Sequence, residues 1–350
     1  MFMSKDLSSV NVSIIIPHHN NKKILKDCLD SLYQSSYKKF EIIIVDNASS
    51  DKSVEEIQSV YKDIKIIKSL KNLGYAGGCN LGAKNANGKY LLFLNNDTIL
   101  DIDCVKFLIP RLESNSKIAS VQPKIKNLKN KSYFDYAGAS GGFMDYLVFP
   151  FTRGRIFNTI EKDEAQYDTP IKIFWASGAG FLTKQNIFDK LSGFDENLFA
   201  HMEEIDYHWK SYLAGYQVWS EPSAILYHLG GATLSMQSAD KVYYNHRNSL
   251  ILLLSNYSLR RSICYFLLRL PLEIVSSIKE LISLRPIHCL YHYRALLWLI
   301  FNFSVIIKRR RKIQSIKVKN NDSIFKQGLI LNSSILFKYY LLNKKKYNQL

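Results

Sequence analysis

Two acidic clusters, far apart in the chain, carry the residues best suited to chemistry. The first, Asn-Asn-Asp at residues 95–97, directly follows the apolar run 91–94, and the second is Glu-Glu-Ile-Asp at residues 203–206. Four consecutive apolar residues are typical of a strand covered on both faces, as in a parallel α/β sheet. Open α/β sheets bind ligands at the carboxyl ends of such strands. One carboxylate that holds a metal-bound diphosphate and another that accepts a proton would make an enzyme of activated phosphate esters.

Alternating strand and helix signals surround the first cluster. The pattern predicts helices at residues 24–33 and 54–61 and from 77 to 85, and strands at 12–16 (stopped by Pro17), 40–45, 64–67 and 90–94. Strands separated by short helices indicate βαβ units and a parallel sheet. Polar residues follow three of these strands, at 18–21, 46–47 and 95–97, so we expect them along one sheet edge.

The middle of the chain is less regular. Residues 123–170 contain glycine-rich and charged stretches that predict loops and hairpins instead of another βαβ unit. Order returns at 171–175, and the small residues 176–180 allow close backbone approach. The pattern predicts a helix over 205–214 that ends at Gly215.

The net charge of +17 is concentrated in the last third of the chain. Residues 1–240 carry 27 Lys and Arg against 27 Asp and Glu, whereas residues 241–350 carry 20 against 3. We therefore predict a neutral domain at 1–240 and a basic helical region at 241–350. Its apolar runs fall short of the ~20 residues of a spanning helix, and the cationic run 308–312 suits helices lying on an anionic membrane surface. A helical packing domain with a solvated basic rim is the alternative; nucleic-acid binding ranks lowest because aromatic and basic residues do not alternate.

Cellular location is inferred from the cysteines and the amino terminus. An odd number of cysteines without CxxC spacing favours reduced thiols over a zinc site or disulfides. Residues 1–6 lack the apolar core of a signal peptide. We expect a cytoplasmic protein, peripheral on the inner face of the cell membrane. The five cysteines are Cys28, Cys79, Cys104, Cys264 and Cys289.

Each candidate motif also has a purely structural interpretation. Asn-Asn-Asp is good turn chemistry, and Ser50 or Asp51 could cap the helix that begins near Ser53. Residues 72–80 form a glycine-rich lead into a helix, which points backbone amides at an anion. This stretch matches neither the dinucleotide fingerprint nor the P-loop.

The order and spacing of these motifs resemble a known family. Residues from about 11 to 235 resemble a family-2 glycosyltransferase with the GT-A fold, an α/β Rossmann-like mixed sheet. The resemblance is close to the rhamnosyltransferase-like branch, which transfers sugars onto lipid intermediates of bacterial polysaccharides. The stretches that carry the resemblance are 12–17, 44–51, 72–78, 94–97, 193–196 and 203–206.

The resemblance implies a donor site for a dTDP- or UDP-sugar. Asp46 would bind the pyrimidine base beside Pro17 and His19. Asp97, at the last position of the family's DxD motif, would bind Mg²⁺ or Mn²⁺ on the diphosphate; the amides at its first two positions are weaker ligands for a hard cation. The other residues placed on the donor side are Asn47, Asp51, Asn72, Gly74, Gly77, Asn80, Asn95 and Asn96.

The same resemblance implies an acceptor side. Glu204 would deprotonate the acceptor hydroxyl, with Glu203 second and Asp206 supporting; acids at a helix start also simply complement its dipole. His228 lies near a metal- or diphosphate-binding histidine of related enzymes, although a lone histidine is often structural. The expected acceptor wall consists of Trp175, Ser177 and Gly178, and a core role for Trp175 stays open.

The leading hypothesis is an inverting, metal-assisted transferase that moves a sugar, rhamnose being one candidate, from a nucleotide diphosphate to a lipid-linked saccharide in the synthesis of a surface polysaccharide such as O-antigen. A sugar nucleotidyltransferase is one alternative, although no basic glycine-rich loop for a triphosphate lies near Pro17. The other is a non-catalytic membrane-binding protein on a degenerate transferase fold.

Overall fold

A computed structural model describes residues 10–230 and 238–350. Residues 1–6, used above to judge a signal peptide, and Gly231, the last residue of the motif 227–231 around His228, lie outside the described residues. The strands are β1 (Val12–His18), β2 (Phe40–Asn47), β3 (Lys65–Ser69), β4 (Tyr90–Leu94), β5 (Thr98–Leu100), β6 (Ile118–Asn127), β7 (Gly142–Asp145), β8 (Pro150–Thr152), β9 (Arg155–Ile156), β10 (Thr159–Ile160), β11 (Gly180–Lys184), β12 (Gln217–His228) and β13 (Ile330–Leu331). The helices are α1 (Lys22–Gln34), α2 (Ser53–Val60), α3 (Gly74–Ala83), α4 (Cys104–Glu113), α5 (Gln185–Lys190), α6 (Glu203–Leu213), α7 (Ala239–Asn256), α8 (Leu259–Ile282), α9 (Pro286–Phe301), α10 (Phe303–Ile316) and α11 (Ile335–Tyr340).

An eight-stranded mixed sheet forms the centre of the protein, in the order β3-β2-β1-β4-β11-β6-β12-β5. β1 pairs in parallel with β2 and β4, which places Ile14 between Ile42 and Leu92. β11 runs antiparallel to both β4 and β6, and β12 runs parallel to β6. All five residues of β4 are buried, as the apolar run predicts. The predicted α/β class is confirmed.

The predicted alignment of polar strand ends along one edge is confirmed. The Asn96 Nδ2 atom donates to His18 Nδ1 at 2.9 Å, and His19 Nδ1 lies 3.2 Å from the Asn47 carbonyl oxygen. The prediction that Pro17 stops β1 after Ile16 is wrong by two residues, because β1 includes Pro17 and ends at His18. Pairing with β4 already stops at Ile15, so this end of β1 has a strand neighbour on one side only, where a proline is tolerated.

The irregular middle region forms a second, smaller sheet. Its strand order is β10-β9-β8-β7-β13, and the antiparallel pairs β7–β8, β8–β9 and β9–β10 are the predicted hairpins. β6 extends further than expected, to Asn127, because β12 pairs with it along most of its length. β13 comes from the basic region and joins β7 in parallel, so the end of the chain completes this sheet.

The basic region folds mainly as helices that pack on the rest of the protein. Its buried cations meet buried acids: Arg309 of α10 donates to Asp206 at 2.6 Å, and Arg269 of α8 donates to Glu273 at 2.6 Å. Within residues 10–230 and 238–350, no single helix has the length and apolar composition of a membrane span. The pair α9–α10, bent by 68°, meets that standard only when both helices are counted together.

Candidate active site

A cavity of about 770 Å³ lies at the carboxyl ends of β1, β2 and β4, and α7 and α8 close its far side. Fourteen predicted site residues line it: Pro17, His19, Asn47, Asn72, Gly74, Asn95, Asn96, Asp97, Trp175, Ser177, Gly178, Glu203, Glu204 and His228. Five do not: Asp46, Asp51, Gly77, Asn80 and Asp206. Tertiary structure thus brings most residues of the two acidic clusters to one cavity.

One end of the cavity holds a histidine between two carboxylates. His228, at the end of β12, places Nε2 3.2 Å from Asp97 Oδ1, and its Nδ1 lies 2.8 Å from Asp135 Oδ1. Burial opposes protonation of the His228 imidazole, but hydrogen bonds to Asp135 and Asp97 outweigh it and raise its pKa to about 10. As long as no metal ion is bound, His228 is therefore a cation that balances two buried acids, and it would have to release a proton to act as a metal ligand.

The Asp97–His228 pair fits a divalent cation. Adjacent ligands of an octahedral ion, each about 2.1 Å from the metal, lie about 3 Å apart, which is close to the 3.2 Å that separates Asp97 Oδ1 and His228 Nε2. Asp135 occupies Nδ1, the position from which a carboxylate commonly orients a metal-binding histidine. The Asn95 amide nitrogen lies 3.5 Å from the same Nε2 atom. Asp97 and His228 are thus the residues that would hold the cation.

The glycine-rich segment is held against the sheet edge by Asn47. Its amide donates to the Gly74 carbonyl at 2.9 Å, and its Oδ1 accepts from the Leu73 amide at 2.7 Å. Asn72 Oδ1 accepts from the Gly74 amide at 2.8 Å. Gly74 has φ 69°, and a Cβ there would lie 2.3 Å from the Phe199 carbonyl oxygen, so no larger residue fits. These contacts fix the start of α3 beside the cavity.

Four predicted donor residues support this edge from outside the cavity. Asp46 Oδ1 accepts from the Ser49 amide at 2.9 Å, and Asp51 accepts from the amides of Asn21 and Ser53, just before α2. Asn80 binds the backbone of Phe194 through both its oxygen and its nitrogen, each at 3.0 Å. A Cβ on Gly77 would lie 2.8 Å from the Leu73 Cβ. In the described structure these residues shape loops and helix packing.

His18 connects the ends of three elements. It accepts from Asn96 through Nδ1, so the neutral ring carries its proton on Nε2 and donates to Ser53 Oγ at 2.9 Å. Burial lowers the pKa of His18 to about 4, although Asp51 and Asp46 act in the opposite direction. Asn96 is thus engaged within the sheet edge, whereas Asn95 and Asp97 point toward His228.

The other end of the cavity holds two buried glutamates at the start of α6. Within the described residues, Glu203 Oε2 and Glu204 Oε2 are buried without a hydrogen-bond partner. Burial raises the pKa of Glu204 to about 7, and burial together with the charge of Glu204 raises the pKa of Glu203 well above its ordinary value. His201 and Met202, just before α6, have φ values of 66° and 72°, a strained turn that leads the chain into this helix.

Asp206 is on the same helix but outside the cavity. Arg309 donates to its Oδ1 at 2.6 Å, Asn256 donates to Oδ1 at 3.1 Å, and Lys210 Nζ lies 3.1 Å from Oδ2. Burial alone would raise the pKa of Asp206, but Arg309 and Lys210 lower it to about 2. Asp206 is a permanently ionised anchor for α10.

The predicted acceptor wall is rigid. Trp175 is buried, donates to the Phe143 carbonyl at 2.8 Å and packs on Gly142, so it serves the core and the cavity wall together. The Ser177 amide donates to Gln122 Oε1 at 2.8 Å. The Gly178 carbonyl accepts from Tyr75 OH at 2.6 Å, which ties the wall to α3.

Several residues that line the cavity were not predicted from the sequence. Asp135 and Arg155 lie in the stretch predicted to be loops and hairpins, where periodicity gives no signal. Arg155 is buried and donates through Nε to the Tyr136 carbonyl at 3.0 Å. His246 and Arg269 reach the cavity from the basic region. The one available signal was polar residues, such as Arg269, inside otherwise apolar helical runs.

Comparisons with known proteins identify the family of this chain. The model for "Glycosyl transferase family 2" matches residues 13–191, just over half of the chain. The chain is 26% identical over 231 residues to a poly-beta-1,6-N-acetyl-D-glucosamine synthase of Staphylococcus epidermidis, covering 64% of this chain and 51% of the relative. The chain spans about a quarter to a half of the length of the curated relatives it matches.

Two solved structures share the fold. GalNAc-T7 with UDP, GalNAc and Mn²⁺ has a TM-score of 0.57 at 15% identity, covering 73% of this chain and 50% of that one. TarS 1-349 of S. aureus in complex with UDP-GlcNAc has a TM-score of 0.53 at 15% identity, covering 91% and 92%. The GT-A fold expected from the sequence is confirmed. Together with the family model, these findings show that the chain belongs to glycosyl transferase family 2.

Proposed function

We propose that this chain transfers a sugar from a nucleotide diphosphate donor to a hydroxyl of a saccharide acceptor, with inversion at the anomeric carbon. One observation carries the proposal: a single cavity holds both the Asp97–His228 pair and the two partner-poor glutamates of α6. The Asp97–His228 pair could bind a cation that neutralises a diphosphate, and one of the two glutamates could accept a proton.

Donor binding is assigned to the sheet edge. Pro17, His19 and Asn47 would surround the base, and the glycine-rich start of α3 would lie beside the phosphates. A UDP- or dTDP-sugar is the proposed donor, supported by the UDP and UDP-GlcNAc of the two structural neighbours. A divalent cation held by Asp97 and His228 would offset negative charge on the leaving diphosphate. Either Mg²⁺ or Mn²⁺ is the proposed cation, and GalNAc-T7 was solved with Mn²⁺.

Glu204 is proposed as the general base. Its pKa of about 7 makes it partly ionised at neutral pH and more basic than an exposed glutamate. The acceptor hydroxyl would give its proton to Glu204 as its oxygen bonds to the anomeric carbon, while the bond from that carbon to the diphosphate oxygen breaks. Burial and the charge of Glu204 also raise the pKa of Glu203, so the two glutamates titrate as a coupled pair.

We also propose a lipid-linked saccharide as acceptor, in surface polysaccharide synthesis at the inner face of the cell membrane, with rhamnose as one candidate sugar. The basic region 241–350 supports a membrane location, and the S. epidermidis relative is named as a polysaccharide synthase. The transferase domain is assigned to residues 1–240 and the membrane-associated part to 241–350.

A donor screen tests the transfer proposal. The full chain is heated with UDP-, dTDP- and GDP-sugars, with and without Mn²⁺, and a true donor at 100 times its Kd should stabilise the fold by about 2.7 kcal/mol. The stabilising donor is then incubated with a panel of saccharide acceptors, and nucleoside diphosphate should be released. Release of pyrophosphate from a nucleoside triphosphate would instead indicate a nucleotidyltransferase, and the absence of nucleotide-sugar binding would indicate a non-catalytic protein.

A further inference from the structure

Helix α8 has its polarity inverted relative to a helix on a soluble surface. Its buried residues are polar: Ser262, Arg269, Glu273 and Ser277. Its solvent-facing side is apolar and carries no charged residue between Arg260 and Lys279, apart from the partly buried Arg261. A helix of a soluble protein normally turns its apolar stripe toward the core. The exposed apolar residues of α8 are Leu259, Ile263, Leu267, Leu268, Ile274, Val275, Ile278, Leu281 and Ile282.

Helix α9 packs beside α8 and extends this surface. Ile287, Leu290, Leu297, Ile300 and Phe301 are all more than half exposed. We call the exposed apolar residues of α8 and α9 together the α8–α9 apolar face. So many contiguous exposed apolar side chains mark an interaction surface rather than a solvated one.

The charge around the face distinguishes between possible occupants. The three acids of residues 241–350 all lie near cations: Glu273 with Arg269 at 2.6 Å, Asp322 with Arg261 at 3.1 Å and Glu280 with Arg285 at 4.0 Å. The remaining charge of the rim is basic, with exposed cations that include Arg260, Lys279, Arg285, Arg294, Lys308 and Arg311. A second copy of the chain would set one basic rim against another, whereas anionic lipid headgroups complement it.

We propose that the α8–α9 apolar face lies in the headgroup region of an anionic lipid bilayer. The opposite, polar side of α8 supplies Arg269 and Ser276 to the cavity lining. One helix therefore lies between the α8–α9 apolar face and the cavity that holds Glu204. Resting on the proposed function, this arrangement means that the acceptor enters from the membrane surface, carried by a lipid that stays in the bilayer.

Vesicle flotation of the full chain tests the face. Vesicles of phosphatidylcholine alone are compared with vesicles that contain roughly 30% phosphatidylglycerol, an anionic lipid that attracts basic protein segments. We expect at least tenfold more bound protein on the anionic vesicles. The combined variant Leu267→Gln, Ile274→Gln, Ile278→Gln should lose at least tenfold of that binding. A matched control changes exposed apolar residues elsewhere, Val60→Gln, Leu70→Gln, Ile102→Gln, and should bind as the wild type does.

The outcomes separate this proposal from the proposed function. Equal binding of both variants to anionic vesicles, or no binding by the wild type, overturns the membrane face. A wild-type dimer in analytical ultracentrifugation that only the α8 variant dissociates also overturns it, because a second copy then covers the face. The donor-induced thermal shift should be the same in both variants, which also shows that they fold. If no donor produces a thermal shift in the wild type, the transfer proposal fails. Vesicle binding would still test the membrane face, because it does not depend on the donor.

Discussion

The Asp97–His228 end and the Glu203–Glu204 end of the cavity differ in how their charges are balanced. At the first end, burial is compensated, because His228 contacts a carboxylate through each ring nitrogen. At the second end, two carboxylates are buried side by side and their Oε2 atoms lack hydrogen-bond partners in the described structure. Both His228 and Glu204 have raised pKa values, the first because of its partners and the second because of desolvation.

This difference suits two kinds of work. His228 is held in position by its two carboxylate partners. It would release its proton when a metal ion takes the place of that proton, because a histidine binds a metal only in its neutral form. A carboxylate kept from water has its basicity raised toward neutral pH, as a general base requires. The predictions below test whether the two ends differ in this way.

Removing the proton acceptor should have the largest effect. Glu204→Gln is expected to reduce sugar transfer by about 10²–10⁴-fold while leaving donor binding unchanged, because the amide keeps the shape but accepts no proton. Turnover with saturating donor and the donor thermal shift are the two measurements. Glu203→Gln is the matched control with a smaller loss; if Glu203→Gln alone abolishes turnover, the roles of the two glutamates are exchanged.

Asp206, on the same helix, should behave as a structural charge. Arg309→Ala leaves the buried Asp206 and the partly buried Asp195 without their main cation, and is expected to lower the free energy of unfolding by about 3–5 kcal/mol. Chemical denaturation measures this change. Arg310→Ala, the neighbouring cation without an acidic partner within 4 Å in the described structure, is the control and should cost less. Equal stability of the two variants would contradict the anchoring role of Asp206.

The glutamate end should make stability and activity depend on pH in opposite directions. Glu204 has a pKa of about 7 in the folded chain, above the ordinary value of 4.5 for a glutamate, so the folded state holds its proton more tightly than the unfolded state does. Its contribution to stability is therefore lost as pH rises from about 4.5 to 7, by on the order of 3 kcal/mol. Turnover should rise over the upper part of this range as the base ionises.

Denaturation at pH 5 and pH 8 measures the stability part of this prediction. Glu204→Gln should show a smaller fall in stability between the two pH values than the wild type. Identical pH dependence in the two proteins would mean that Glu204 is not desolvated in the folded chain.

The histidine end should respond to its orienting carboxylate. Asp135→Asn removes the charge that faces His228 Nδ1. We expect the affinity for Mn²⁺ to fall by about 10–100-fold, so that more Mn²⁺ is needed for half-maximal turnover. Titrating Mn²⁺ while following turnover measures it. Asp163→Asn, an acid of the same region that pairs with Lys124 and Lys126, is the control. An unchanged Mn²⁺ requirement in Asp135→Asn would show that Asp135 does not orient a metal ligand.

Much of the fold was predictable because its signals are local. The apolar runs at β1, β2 and β4 and the helical spacing between them dictate a parallel sheet, and the polar residues after each strand must then share one edge. The glycine-rich stretch at 72–80 was recognisable from the sequence as a lead into a helix, although α3 begins at Gly74, three residues before the predicted start. The concentration of charge in residues 241–350 is likewise a property of the sequence alone.

The tertiary structure decided which side chains work together. Glu203, Glu204 and Asp206 share one helix turn, yet α10 brings Arg309 to Asp206 alone, so the three acids have opposite pKa shifts. Asp135 meets His228 across 93 positions of sequence, a pairing without local periodicity. The inverted polarity of α8 was also hidden, because a helical pattern shows two faces but not which one meets the protein. Local pattern thus determined the elements and their order, whereas desolvation and charge pairing depend on neighbours that only the folded chain supplies.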